Sequence, residues 1–224
     1  MVIAIDGPAG AGKSTISRLI ADRNGWTYLD TGAMYRTVAL LAREQGIAPA
    51  DAAALGELAR NLEIGFQPGP GGVPRVFAGC REVTAEIRSR EVSGDVSEVS
   101  AHRPVREAMA ARQRQIAASG DVVMDGRDIG TVVCPGAEVK IFLTASNPER
   151  ARRRRLELAE KGIEISQGQM ESEIAARDDY DSSREVAPLK AAADAVEVDT
   201  TDLTIEQVVD KITDIITQRQ AEAG

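Results

Sequence analysis

The sequence predicts an α/β fold in which a parallel sheet carries helices on both faces. Short apolar segments alternate with longer segments of helical periodicity along the 224 residues, and this alternation is typical of strand–helix–strand units. A glycine-rich loop at residues 7–14 joins the first apolar segment to the first helical one. Around residues 68–72, prolines and glycines separate short β-prone segments, which predicts a small antiparallel insert near the middle of the chain.

The composition narrows the possible partners. A net charge of −8 argues against nucleic acid and anionic membranes, since phosphate backbones are bound by basic surfaces. Cys80, Cys134 and His102 lack the spacing of a zinc site or a disulfide framework. No apolar run reaches the length of a membrane span, and the first strand begins too early to leave room for a signal peptide. We therefore expect a cytoplasmic protein.

The loop at residues 7–14 has the spacing of a phosphate-binding P-loop, with glycine in the first and sixth places, then lysine and serine. Glycines let successive backbone N–H groups approach a polyphosphate closely. Lys13 adds a positive charge for the outer phosphates, and the Ser14 hydroxyl is suited to ligate Mg²⁺. The fold is thus expected to be of the P-loop NTPase type. The expected nucleoside triphosphate-binding residues are Gly7, Pro8, Ala9, Gly10, Ala11, Gly12, Lys13, Ser14 and Thr15.

A helix and a second strand follow the loop. The predicted helix covers residues 14–23, and its N-terminus adds partial positive charge near the phosphates. Residues 26–29 predict a buried strand that ends at Asp30. Thr31 is the expected N-cap of the next helix, which runs to about residue 45, and Arg36 lies little more than one turn into it.

Residues 47–118 are a candidate second lobe that contains the insert. A short helix precedes β-prone segments on either side of the Pro/Gly turn. A helical region from about 87 to 119 follows, and it is expected to break near Pro104. This region carries Ser97 and Arg106.

A predicted core strand at 121–124 ends in a charged segment. Parallel sheets bind ligands beyond the carboxyl ends of their strands, and Asp125, Arg127 and Asp128 follow this strand at that end. Two aspartates flanking an arginine seldom serve a core, so the segment is expected to be functional. Asp125 is a candidate for holding Mg²⁺ through water.

The remaining elements complete the alternation of strands and helices. Strands are predicted at 138–143 and 195–199, and helices at about 169–179 and 204–218.

One further helix begins with a capping-box pattern, Ser146 to Glu149. Its arginines are Arg150, Arg152, Arg153, Arg154 and Arg155. At helical spacing only one or two of these can face a cleft, and Arg153 or Arg154 is the expected one.

These features together favour a phosphotransferase with a small anionic acceptor. Such an enzyme must hold two phosphates face to face, cancel their charge and exclude water, and arginines at the ends of several elements suit this task. A GTPase switch would need an Asn-Lys-x-Asp stretch, which the sequence lacks. Two alternatives stay open: another small-molecule P-loop kinase, and a nucleotide-dependent switch or binding module that hydrolyses ATP slowly.

Four motifs together resemble those of bacterial cytidylate kinases. They are the P-loop, Asp-Thr-Gly-Ala-Met-Tyr-Arg at 30–36, Asp-Gly-Arg-Asp-Ile-Gly-Thr-Val-Val at 125–133, and Arg-Asp-Asp-Tyr-Asp-Ser-Ser-Arg at 177–184. The resemblance covers essentially the whole chain, and the later motifs are more specific than the P-loop. It implies transfer of the γ-phosphoryl group of ATP to CMP or dCMP, with Mg²⁺ as cofactor and the enzyme as a monomer.

The resemblance also implies roles for individual residues. Those expected at the acceptor phosphate are Arg36, Arg127 and Arg184, with Thr31 standing where the family often has serine. Those expected near the sugar are Arg177 and Asp181, and those expected to read cytosine are Ser97, Arg106 and Asp128. The cytosine trio is chemically complementary to the base, which offers an amino donor and ring acceptors. Uracil would place a carbonyl against an unpaired carboxylate, and we expect its rejection.

Under this resemblance the chain is a single kinase domain with three parts. The core is expected at about 1–46 and 119–224, the monophosphate-binding lobe at about 47–118, and a short lid at about 152–184. The residues expected to act in transfer are Lys13, Arg127, Arg184 and Arg154.

Overall fold

The structure is a computed structural model that describes residues 1–160 and 162–223. The strands are β1 (Val2–Asp6), β2 (Thr27–Asp30), β3 (Ile64–Gln67), β4 (Arg75–Ala78), β5 (Arg81–Glu82), β6 (Val122–Gly126), β7 (Val139–Thr144) and β8 (Val196–Asp199). The helices are α1 (Lys13–Asn24), α2 (Thr31–Glu44), α3 (Ala52–Asn61), α4 (Arg90–Val99), α5 (Arg103–Ala117), α6 (Asn147–Ala159), α7 (Gln167–Ser183) and α8 (Ile205–Ala223). Two 3₁₀ turns, Pro70–Gly72 and Glu86–Arg88, and one turn of π-helix, Ile129–Val133, complete the description.

Five strands form the main sheet in the order β2-β6-β1-β7-β8. The central strand β1 pairs in parallel with β6, where Asp6 lies opposite Gly126, and with β7, where Asp6 lies opposite Phe142. β8 extends the sheet in parallel beyond β7. A separate antiparallel sheet has the order β3-β4-β5. The predicted α/β fold class and the antiparallel insert are therefore confirmed.

The chain divides into two compact units, one made of residues 1–29 and 121–224 and the other of residues 30–120. In the first unit, buried apolar residues of β1 and β7 pack with one face of α1 and one face of α8. Burial of each large aliphatic side chain contributes about 1.5–3 kcal/mol to stability. This packing holds the loop between β1 and α1 against the sheet.

The second unit has its own core. Its buried apolar residues come from α2, α3, α4 and α5 and from the strands of the small sheet, and they include Val38, Leu55, Val76, Val96 and Met109. The division begins at Asp30 rather than near residue 47, because α2 packs against α4 and the turn Glu86–Arg88 within this unit. The spacing of apolar residues along α2 does not indicate which helices or strands α2 packs against.

One predicted N-cap residue is wrong, and at a second helix the N-cap residue is as predicted but the capping-box hydrogen bonds are absent. The N-cap of α2 is Asp30, whose side chain accepts from the Ala33 N–H, whereas Thr31 is the first helical residue. Ser146 precedes α6 without a capping bond from its side chain. The reciprocal member of that capping box, Glu149, instead accepts from Arg152 and Arg153. Guanidinium donors outcompete a backbone N–H for a carboxylate, and the pKa of Glu149 is lowered to about 2 chiefly by Arg152.

Within residues 1–160 and 162–223, no helix is both long enough and apolar enough to cross a membrane.

Candidate active site

The P-loop passes directly over the end of β7. Gly7 has φ +150°, and a Cβ placed on it would lie 2.0 Å from the carbonyl oxygen of Leu143, so only glycine fits there. Lys13 is 6% exposed and donates a 2.7 Å hydrogen bond to the carbonyl oxygen of Pro8 across the loop. Gly12, with φ +88°, caps α1, whose N-terminal N–H groups are suited to an anion.

Burial and neighbouring cations disfavour the charged form of Lys13. The pKa of its ammonium group is held well below its usual range, first by burial and then by the positive charge of Arg127. Arg177 acts in the same direction, while Asp125 and Asp6 oppose the shift. A polyphosphate bound here would relieve the repulsion among these cations. The arrangement is therefore suited to an anion of high charge.

An all-oxygen pair lies beside the P-loop. The Ser14 hydroxyl donates to Oδ2 of Asp125 at 2.8 Å, and the Tyr28 hydroxyl donates to Oδ1 of the same carboxylate at 2.9 Å. A hydroxyl and a carboxylate are hard ligands of the kind that Mg²⁺ prefers, and Mg²⁺ is usually bound by one or two protein groups together with substrate phosphates. Among the described residues no three His, Cys, Asp or Glu side chains form a dedicated metal cage. Ser14 and Asp125 thus fit a magnesium ion that is shared with a nucleotide.

The segment after β6 is held by a buried carboxylate. Asp6, at the end of β1, accepts hydrogen bonds from the N–H groups of Ile129 (2.9 Å) and Gly130 (2.7 Å). Burial raises the pKa of Asp6 to about 6, and these two backbone bonds lower it only in part. Arg127 and Asp128 immediately precede the anchored N–H groups. Asp6 therefore fixes the direction in which they leave the sheet.

Four of the predicted acceptor-binding residues meet in the first unit. Arg127 Nε donates to Oδ2 of Asp181 at 3.0 Å, and Arg184 Nη1 lies 3.7 Å from the other oxygen of Asp181. Arg184 Nη2 also lies 3.9 Å from Oδ1 of Asp128. The side chains of Asp128, Asp181 and Arg184 are all at most 6% exposed. Each arginine is thus already oriented by a carboxylate.

A fifth predicted acceptor-binding residue, Arg177, lies on α7 of the first unit, and the other four belong to the second unit. Arg36 forms a salt bridge of 3.0 Å with Asp30, and Thr31 is buried at the start of the same helix. Arg106, which is 5% exposed, donates to the carbonyl oxygen of Ser100 at 3.0 Å. The Ser100 hydroxyl in turn donates to the carbonyl oxygen of Ser97 at 3.1 Å.

The aromatic ring of Tyr35 supports Arg106 as well. The guanidinium carbon lies 5.3 Å from the centre of that ring. This distance is within the range of a cation–π interaction. Ser97 and Arg106 are therefore linked through one local network within the unit.

The arginines of α6 differ in their surroundings. Arg153 bonds to Glu149 and, through both terminal nitrogens, to Thr200, and a Cβ on Gly12 would lie 3.8 Å from Arg153 Nη1. Arg154 pairs with Glu157 on the exposed side of its own helix. Arg150 is 7% exposed and bonds to the P-loop backbone. The run of arginines therefore contains both site-facing and solvent-facing members.

Sequence reasoning missed Asp6, Tyr28 and Arg150. The sequence did contain an indication for Asp6, since an acidic residue between an apolar strand and a P-loop glycine is expected to be buried and to need a hydrogen-bond partner. Tyr28 was assigned only to the core, and its hydroxyl partner lies 97 residues away. Consecutive arginines in one helix give no indication of which of them faces the sheet.

The cytidylate kinase family model matches residues 3–218. The chain belongs to this family. A cytidylate kinase from Geobacter sulfurreducens is 50% identical over 220 residues, which cover 98% of this chain and 94% of that protein. One from a Geobacillus species is 52% identical, covering 97% and 96%. These matches confirm the resemblance to cytidylate kinases and favour a kinase over a nucleotide-dependent switch.

A solved structure shares the fold at low sequence identity. It is an uncharacterized protein from Eubacterium ventriosum, with a TM-score of 0.50 and 11% identity, and the match covers 97% of this chain and 98% of that one. At this identity the match bears on the fold of this cytidylate kinase family member alone.

Proposed function

We propose that this chain transfers the γ-phosphoryl group of ATP to CMP or dCMP, which gives ADP and CDP or dCDP. The family to which it belongs supports this reaction. The single observation that carries the proposal is the P-loop itself, where buried Lys13 bonds to the Pro8 carbonyl and Ser14 bonds to Asp125. The positive charges of Arg127 and Arg177 act on Lys13 there and lower its pKa. Phosphoryl transfer needs little covalent help from a protein and depends on positioning and charge neutralisation, and this cluster is suited to both.

The donor nucleotide is proposed to bind along the P-loop, with Lys13 at its outer phosphates. Ser14 would ligate Mg²⁺ and Asp125 would hold it through water. The ion, when bound, neutralises charge on the phosphates during transfer. The hydrogen bond from Tyr28 to Asp125 orients the carboxylate for this task.

The acceptor phosphate is proposed to bind Arg127, Arg184 and Arg36, with Thr31 nearby. Arg127 and Arg36 are now paired with Asp181 and Asp30. A phosphate would accept from the remaining guanidinium N–H groups, because each guanidinium has five donors and a carboxylate uses at most two of them. Pre-pairing keeps these side chains extended and reduces the entropy lost on binding.

The sugar and the base are proposed to be recognised by different residues. Arg177 and Asp181 would contact the sugar, with Asp181 accepting from a hydroxyl. Asp128 and Ser97 would accept from the cytosine amino group, and Arg106 would donate to the ring acceptors. Neither CMP nor dCMP is favoured by this assignment.

One of Arg153 and Arg154 is proposed to act in transfer as a lid arginine. The lid itself, residues 152–184, stays a prediction from the resemblance and includes most of the α6–α7 hairpin. We also propose that the enzyme is a cytoplasmic monomer that acts on free nucleotides, and the net charge of −8 supports free nucleotides over nucleic acid.

The test is ADP production from ATP and Mg²⁺ without an acceptor, then with CMP, dCMP, UMP, AMP, GMP and shikimate in turn. The expected result is a rise of several orders of magnitude with CMP and dCMP only. Equal ADP production with every acceptor and with none would contradict the assignment of CMP and dCMP as acceptors, and it would favour a protein that hydrolyses ATP slowly. A response to another acceptor would favour a different small-molecule kinase.

A further inference from the structure

Arg150 joins the P-loop to helix α7. Its Nη1 donates to the carbonyl oxygen of Ala9 at 3.1 Å and to Oδ2 of Asp178 at 2.5 Å. Its Nε donates to the carbonyl oxygen of Ala145 at 2.9 Å, which fixes the guanidinium from a third side. One buried side chain therefore contacts the nucleotide-binding loop and α7 at the same time.

The P-loop packs closely against Arg150 at Gly10. Gly10 has φ +76°, and a Cβ placed on it would lie 3.1 Å from Cβ of Arg150 and 3.2 Å from its carbonyl oxygen. Because closely packed interiors transmit small displacements, a movement of the loop at Ala9 and Gly10 must be shared by Arg150. Because the Arg150 guanidinium donates to the Ala9 carbonyl, it is expected to follow that carbonyl when the loop moves.

Asp178 depends on Arg150 for its position. Within the described part of the chain, Oδ1 of Asp178 is buried and has no hydrogen-bond partner, so Arg150 is the group that compensates this carboxylate. Breaking a partly buried ion pair on one side is costly for the charge left behind. The carboxylate is therefore expected to follow the guanidinium.

Helix α7 carries this dependence to the acceptor site. Asp178 directly follows Arg177 and precedes Asp181 by three residues, and Arg184 is the C-cap of the helix. Residues three apart lie on neighbouring positions of a helix surface. The apolar contact of Ala151 with Met170 and Ile174 holds α6 against α7 near the middle of α7, so a shift of Asp178 acts on the C-terminal turns.

We propose that Arg150 is a positioning residue that couples the two substrate sites. Binding of ATP or ADP to the P-loop fixes the position of the Ala9 carbonyl and therefore that of Arg150. Arg150 fixes the position of Asp178 through their ion pair. Asp178 in turn fixes the part of α7 that carries Arg177, Asp181 and Arg184. This inference rests on the proposed function, since it takes those three residues as acceptor-binding. Coupling of this kind is reciprocal, so the acceptor must strengthen ADP binding by the same factor.

The experiment is calorimetric titration of CMP with and without saturating Mg²⁺–ADP, a pair of ligands that cannot react. The ratio of the two CMP dissociation constants is the coupling factor, which we expect to be about fivefold or more in the unmodified enzyme. In Arg150→Ala and in Asp178→Asn the factor should fall towards one. The double variant should lose no more coupling than either single variant, because both substitutions break the same connection.

Arg155→Ala is the matched control. Arg155 also connects α6 to the start of α7, through the Ile165 carbonyl (2.9 Å) and Gln167 (3.2 Å), rather than to the P-loop. Its removal should leave the coupling factor unchanged. Melting curves establish that each variant is folded, and if Arg150→Ala is not, Asp178→Asn still tests the connection because it preserves side-chain volume.

Two results would overturn the coupling role: a factor of one in the unmodified enzyme, or an unchanged factor in folded Arg150→Ala or Asp178→Asn. Arg184→Ala separates this failure from failure of the proposed function. It should weaken CMP binding and leave ADP binding intact whatever the coupling factor is. If it leaves CMP binding unchanged, the acceptor assignment itself is wrong.

Discussion

The Ser14 hydroxyl donates a 2.8 Å hydrogen bond to Asp125, although the two residues are 111 positions apart in the chain. The contact follows from the pairing of β1 with β6, in which Ile5 lies opposite Asp125. The P-loop and the charged end of β6 therefore emerge from the sheet side by side. The two residues proposed for the magnesium ion, Ser14 and Asp125, lie in the first turn of α1 and at the end of β6.

Asp125→Asn should raise the Mg²⁺ concentration needed for half-maximal activity and lower turnover by about 10²-fold, because loss of a group that holds a metal through water typically changes metal affinity or activity by about 10–100-fold. The measurement is ADP production over a Mg²⁺ titration with CMP as acceptor. Tyr28→Phe is the control, since it removes one hydrogen bond to the carboxylate and keeps its charge. Equal Mg²⁺ curves for Asp125→Asn and the unmodified enzyme would contradict the metal role.

Arg184→Ala should reduce turnover by about 10³-fold or more, the effect of losing one transition-state arginine in other phosphoryl-transfer enzymes. Steady-state kinetics with saturating ATP and CMP measure it. Arg219→Ala removes the same charge from an exposed pair with Glu222 on α8 and should leave turnover unchanged. A loss of only a few-fold for Arg184→Ala would exclude it from the transfer step.

The two candidate lid arginines can be separated by kinetics. Arg153 bonds to Thr200 and lies near Gly12, so Arg153→Ala should raise KM for ATP by at least about tenfold. Arg154→Ala should stay within about twofold, since exposed ion pairs such as the one with Glu157 contribute little. The reverse order would identify Arg154, which the sequence favoured, as the residue that acts on ATP.

Asp6→Asn should change the pH dependence of stability. The pKa of Asp6 is raised by burial from 3.8 to about 6 in the folded chain. Its contribution to stability is thus fully present below about pH 3.8 and is lost as the pH rises through about 6. Relative to the unmodified protein, the asparagine variant should gain about 3 kcal/mol of unfolding free energy between pH 3.5 and pH 7.5.

Urea unfolding at several pH values measures that difference. The variant should also turn over more slowly at every pH, because an amide N–H would then face the N–H of Ile129 or Gly130 and release the segment that carries Arg127. A stability difference that does not vary with pH would show that the Asp6 carboxyl titrates normally.

The parts of the site that could be predicted from the sequence are those fixed by local chemistry. The P-loop needs glycine, lysine and a hydroxyl at fixed spacing, and the charged end of β6 follows from where parallel sheets bind ligands. The fold class followed from the alternation of elements for the same reason. None of these inferences required knowing which distant residue would be a partner.

The parts that could not be predicted depend on competition between partners. Glu149 was expected to cap α6, but Arg152 and Arg153 occupy its carboxylate. Thr31 and Asp30 are both good cap residues, and in the structure Asp30 has the non-helical backbone and accepts from the Ala33 N–H. Arg150 is one of five arginines in six residues, and its contacts with the P-loop and with Asp178, which are distant in sequence, distinguish it.

The insertion of residues 30–120 between the two segments of the first unit has a consequence for synthesis of the chain. β1 is synthesised before its sheet partners β6 and β7, which begin at residues 122 and 139. At about 5–20 residues per second, on the order of ten seconds pass between the synthesis of the apolar strand β1 and the synthesis of its sheet partners. The second unit is contiguous and can fold during that time. We expect nascent chains shorter than about 140 residues to expose β1 and to bind chaperones that recognise extended apolar segments.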